Sequence, residues 1–114
     1  MKYAAKVDSN QKEIITIFKS YGITVQDLSA VGKKGVPDLI VSRSGYTFPV
    51  EVIGPEKLKR FPPDGRTEGQ VEWHEAWGGY VYTVKDIDEA TQLAKWMRGL
   101  PTFAPCIFAE GRKP

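Results

Sequence analysis

Cysteine and histidine are almost missing from this chain: Cys106 and His74 are the only examples among 114 residues. A single cysteine excludes an intramolecular disulfide and any zinc site that needs several thiolates from one chain. A single histidine excludes the paired-histidine metal motifs. Long apolar runs are also lacking. Residues 1–8 do not form the apolar stretch of a signal peptide, and no segment approaches the roughly twenty apolar residues that span a bilayer. These features lead us to expect a reduced, cytoplasmic protein with no membrane association. The turn Gly32-Lys33-Lys34-Gly35 lacks the spacing and the hydroxyl of a phosphate-binding P-loop, and no Gly-x-Gly-x-x-Gly occurs. A catalytic triad would have to use His74, which falls inside an expected helix beside two tryptophans. It reads as a packed or surface helix residue. Cys106 sits between prolines in the tail, which gives a thiol–histidine pair no better footing.

What is present describes one folded domain. Hydrophobic residues make up 41% and charged residues 26%, a balance that supports a core rather than disorder. Net charge is only +2, too small in itself to specify a partner. Its distribution is uneven. Lys57, Lys59, Arg60 and Arg66 lie within ten residues that contain one acid, Asp64, and Lys33, Lys34 and Arg43 surround Asp38. Such clusters suit either phosphate contacts or a solvated loop.

The order of elements expected is α-β-β-β-α-β-α. Ile14, Ile15, Ile17, Phe18 and Tyr21 recur at helical spacing, with Asp8 or Ser9 as cap and Gly22 as stop. Residues 23–28 read as a short strand. Residues 39–41 and 48–53 read as a β-hairpin turning at Ser44-Gly45. Residues 54–66, with Gly54, Pro55, Pro62, Pro63 and Gly65, read as one long loop. Thr67 and Gln70 form a capping box that opens a helix bearing Val71, Trp73, His74 and Trp77. Residues 80–84 form a strand. Asp86 and Glu89 open a last helix with Ile87, Ala90, Leu93, Ala94 and Met97 on one face. We expect a domain over residues 1–99 and an irregular extension over 100–114, which packs Phe103 and Phe108.

The residues with chemistry left to assign are carboxylates. Asp38 opens one hairpin strand and Glu51 lies between Val50 and Val52 on the other, pointing away from both by strand alternation. Two carboxylates a hairpin apart can converge into a hard-oxygen site suited to Mg²⁺ or Mn²⁺, to which the Val52 carbonyl could add a ligand. The alternative is that Asp38 caps a turn and Glu51 is an exposed strand residue.

The series Gly35-Val36-Pro37-Asp38-Leu39-Ile40-Val41, a hairpin, Pro49-Val50-Glu51-Val52, and then Gln70 at a helix start resembles the PD-(D/E)XK nuclease superfamily. It looks most like the VRR-NUC and Holliday-junction-resolvase-like branch, which includes small phage-type proteins. The resemblance covers roughly residues 8–95, from the helix carrying Glu13 through Gln70-Val71-Glu72-Trp73-His74. It implies an α/β fold with a restriction-endonuclease-like core, a mixed central sheet flanked by helices. It implies that Asp38, Glu51 and the Val52 carbonyl hold Mg²⁺ or Mn²⁺. Gln70 would orient a catalytic group or touch DNA, or simply cap its helix; Glu13 would reach the metal through water or be solvated.

One position departs from the superfamily pattern. Its signature lysine, two residues after the glutamate, is Ile53 here, expected to project beside Glu51 where an ammonium belongs. Lys57 and Lys59 are the nearest replacements. The resemblance thus implies a divalent-metal-dependent DNA endonuclease that hydrolyses phosphodiesters, either structure-specific for branched DNA or acting on flaps, nicks or ordinary duplex. Lys33, Lys34, Lys57, Lys59, Arg60 and Arg66 would contact nucleic acid, and Lys57 would serve catalysis. A homodimer is expected, because two scissile phosphates of a junction need two sites. Ile53 keeps an alternative open: a weakened or inactive nuclease-fold module that binds DNA or a protein partner.

Overall fold

In the computed structural model, residues 10–103 are described. Eight elements follow one another: α1 (Gln11–Ser20), β1 (Thr24–Asp27), β2 (Leu39–Arg43), β3 (Tyr46–Val52), α2 (Pro55–Arg60), α3 (Glu68–Ala76), β4 (Tyr82–Val84) and α4 (Ile87–Arg98). The strands form one open sheet in the order β1-β2-β3-β4. β2 runs antiparallel to both β1 and β3, and β4 adds parallel to β3. The protein is therefore α/β, with a four-stranded mixed sheet flanked by helices.

Local chemistry accounts for most of these elements. The β2–β3 hairpin turns on Ser44 and Gly45, both at positive φ (54° and 91°), the geometry that matches the twist of a two-residue hairpin. Thr67 and Gln70 complete the capping box of α3, and the Asp86 side chain accepts from Glu89 N–H at the start of α4. α1 begins at Asn10 without a side-chain cap; Asp8 and Ser9, the expected caps, and Phe108 lie outside the described residues.

One face of the sheet carries the core. Ile14 and Phe18 of α1 and Ala90, Ala94 and Met97 of α4 meet Leu39, Val41, Val50, Val52 and Val84 from the strands. Each large aliphatic or aromatic group buried there contributes about 1.5–3 kcal/mol relative to exposure. Phe103 packs its ring on Tyr46 at 5.6 Å, while its main-chain N–H binds the Ser44 carbonyl.

The structure corrects one element. Residues 54–66 are not a continuous loop, because α2 forms within them. Gly54 caps this helix and Pro55 starts it, where a missing N–H costs nothing and the fixed φ suits a first turn.

Candidate active site

Hairpin register brings the two carboxylates together. Leu39 pairs with Val50, so one further step sets Asp38 opposite Glu51. Val50 and Val52 enter the core, which sends Glu51 to the other face of β3. It is fully buried there, and Asp38 is 8% exposed; neither is a solvated residue. Each carboxylate takes a main-chain N–H beside the other. Glu51 Oε1 accepts from Asp38 N–H at 3.0 Å, and Asp38 Oδ2 accepts from Val52 N–H at 2.8 Å.

A third group closes this pair. Lys57 lies in α2 and is 7% exposed. Its Nζ donates to Asp38 Oδ2 at 3.0 Å and to the Val52 carbonyl at 2.9 Å. Of the two lysines named from sequence, Lys57 reaches the carboxylates, whereas Lys59 is exposed. They stand about 200° apart around a helix, so only one can face the sheet.

Burial is the main electrostatic influence on Glu51. It pushes the carboxyl from 4.5 up to about 9, with help from the charge of Asp38 and against the pull of Lys57. At neutral pH the folded protein keeps Glu51 protonated, which relieves the repulsion between two adjacent carboxylates.

His74 completes the cluster from α3, with Nε2 3.2 Å from Glu51 Oε2. Its Nδ1 lies 3.1 Å from an Arg66 Nη1. A guanidinium can only donate, so Nδ1 accepts, and the neutral ring carries its proton on Nε2, directed at Glu51. Burial and the Arg66 charge hold the His74 pKa below its ordinary value. Arg66 is anchored in turn by Asp64 at 2.8 Å. His74 is thus a packed helix residue, as expected, and what it packs against is Glu51. A signal did exist: His74 follows Gln70 by four residues and so shares its helix face.

Other expected residues fall into three groups. Gln70 caps α3, its Oε1 accepting Thr67 N–H at 2.9 Å, and also lines a cavity of about 420 Å³. Asp38 and Lys57 line the same cavity, as do Lys33 and Lys34 from the preceding turn. Arg60 is exposed on α2, with its guanidinium over the Phe61 ring, and Arg66 is committed to His74 and Asp64. Glu13 is exposed on α1.

Ile53 departs from its expected place. β3 ends at Val52, and Ile53 is 4% exposed, its Cγ2 tight against Gly65. It lines a separate cavity of about 660 Å³ with Leu58, Val84 and Leu93. The position of the signature lysine is a packing position here.

No family model, curated protein or solved structure matches the chain.

Among the described residues, no group of three or more His, Cys, Asp or Glu side chains is arranged to hold a metal ion. The oxygens of Asp38, Glu51 and Val52 are nevertheless hard donors of the kind Mg²⁺ and Mn²⁺ take, with waters and a substrate phosphate filling the remaining positions. Two of them, Asp38 Oδ2 and the Val52 carbonyl, already coordinate a cation in the form of the Lys57 ammonium. Asp38 and the Val52 carbonyl therefore suit a cation, and Glu51 would join them on releasing its proton.

Proposed function

We propose that the chain is a divalent-metal-dependent DNA endonuclease of the PD-(D/E)XK kind, hydrolysing phosphodiester bonds in branched DNA. One observation carries this reading: two carboxylates, a lysine and a main-chain carbonyl converge, nearly dry, at the end of a hairpin beside a lysine-rimmed cavity. Burying such a group is no economical route to stability, since apolar side chains of similar volume serve at least as well. Buried, strongly perturbed titratable groups at a cleft are typical of reaction sites.

The roles follow from position. Asp38, Glu51 and the Val52 carbonyl would hold Mg²⁺ or Mn²⁺, which when bound supplies Lewis-acid activation of water and neutralises phosphate charge. Lys57, the cation nearest these oxygens, orients the attacking water and stabilises charge on the phosphate. His74 fixes the Glu51 carboxyl through Nε2–H, and Arg66 fixes the tautomer. Lys33 and Lys34 offer positive charge to the flanking phosphates at the cavity rim. A symmetric dimer belongs to this reading, because a four-way junction presents two scissile phosphates.

Plasmid, a four-way junction and a linear duplex, each assayed in Mg²⁺ or Mn²⁺ against EDTA, test it. Metal-dependent cutting is expected, with Lys57→Ala slower by about 10²–10³, the usual effect of losing one positioned electrostatic stabiliser. No cutting of any substrate, with salt-sensitive binding retained, would identify a DNA-binding module instead.

A further inference from the structure

The Lys57 ammonium occupies a seat with two claimants. It is held by Asp38 Oδ2 at 3.0 Å and by the Val52 carbonyl at 2.9 Å, both members of the oxygen set that suits a divalent cation. The side chains of Lys57 and Asp38 are only 8% and 10% exposed, so little solvent screens a second positive charge brought to these oxygens. An ammonium and a divalent ion brought to these same two oxygens repel each other at close range.

There is somewhere for the ammonium to go. Asp38 and Lys57 together line the cavity of about 420 Å³, whose other walls include Lys34, Phe61 and Gln70. Lysine carries its charge on a flexible four-carbon stem, so Nζ can turn into that space by bond rotation while α2 stays in place.

We propose that Lys57 is the resident counter-cation of the metal-free site, and that divalent metal binding displaces its Nζ from Asp38 Oδ2 and Val52 O into the cavity. This rests on the nuclease reading above and adds an order of events to it. Lys57 first holds Asp38 and the Val52 carbonyl while no metal is present. It is then delivered, by metal uptake itself, to the side from which a phosphate would approach. Metal affinity is lowered by the displacement, so the catalytic ammonium is also a brake on metal loading.

Two measurements, neither of them activity, decide the matter. The first is calorimetric Mn²⁺ titration of the parent and of Lys57→Met, which keeps the stem and removes the charge. The variant is expected to bind at least about tenfold more tightly. The second is read on the parent protein, so it stands even if Lys57→Met fails to fold. With lysine labelled at ¹³Cε and the Lys57 signal assigned by its loss in Lys57→Arg, saturation with Mg²⁺ is expected to shift that resonance while exposed lysines stay put. If the parent binds metal but Lys57→Met binds no more tightly, or if the Lys57 resonance does not move at saturation, the displacement is wrong and the metal site survives. If neither protein binds Mn²⁺ or Mg²⁺ at millimolar concentration, the metal-dependent reading falls, and this inference with it.

Discussion

Glu51 couples the site to pH. Its carboxyl is raised from 4.5 to about 9 in the folded protein, chiefly by burial. Between those values the native state holds a proton that the unfolded chain has released, so folding stability falls as pH rises through the window. Below about 4.5 both states are protonated and the contribution is fully present. His74 works in the opposite sense, because its folded pKa is lowered by burial and by Arg66. Its contribution is present above the ordinary value of 6.5 and is lost as pH falls below it. Urea denaturation at about pH 6.5 and about pH 8.5 isolates the Glu51 effect, since His74 changes little across that range. The parent is expected to be less stable at the higher pH, and Glu51→Gln to lose most of that slope. An unchanged slope in the variant would mean that another group carries it.

At the scale of elements, α2 joins the carboxylate end of the β2–β3 hairpin to its packing. One turn aims Lys57 at Asp38 and Val52, while Ile53, just before the helix, fills the space against Gly65. Gly65 has φ +80°, and a Cβ there would collide with Ile53 Cγ2, so this stretch is closely fitted. Ile53→Lys therefore puts an ammonium into a buried packing position, while Lys57 already meets Asp38. The variant is expected to lose more than about 1 kcal/mol of stability and to gain no cutting rate. A thermal melt and a nicking assay on the same sample check both parts. A stable variant with faster cutting would return the catalytic lysine to position 53.

For the molecule as a whole, the sheet ends at β4, a strand of three residues, with Tyr80 82% and Trp96 48% exposed nearby. Among the described residues no helix is long and apolar enough to cross a membrane. The dimer that belongs to the nuclease reading is expected to appear in light scattering at tens of micromolar as twice the 12.8 kDa chain mass. A monomer mass there removes the dimer without touching the chemistry of a single site.

Much of this architecture is set by short-range rules that a sequence displays directly. The stripe of Ile14 and Phe18, the Ser44-Gly45 turn, the Thr67–Gln70 box and the Asp86 cap each act within a few residues, so the order of strands and of the longer helices was legible. Asp38 and Glu51 were legible as a pair because hairpin register follows from the turn that closes it. α2 was not. It has only six residues, starts at Pro55 and precedes two prolines, and its stability comes from contacts rather than from apolar periodicity. With α2 unseen, the sequence named Lys57 for catalysis without showing how it would reach the carboxylates. His74 was passed over because its partners, Glu51 and Arg66, lie 23 and 8 residues away. The sequence by itself determined every element but α2, the hairpin and the pairing of the two carboxylates. Tertiary packing alone decided which lysine meets them, that histidine joins them and that Ile53 does not, because those choices depend on how separate elements approach in space.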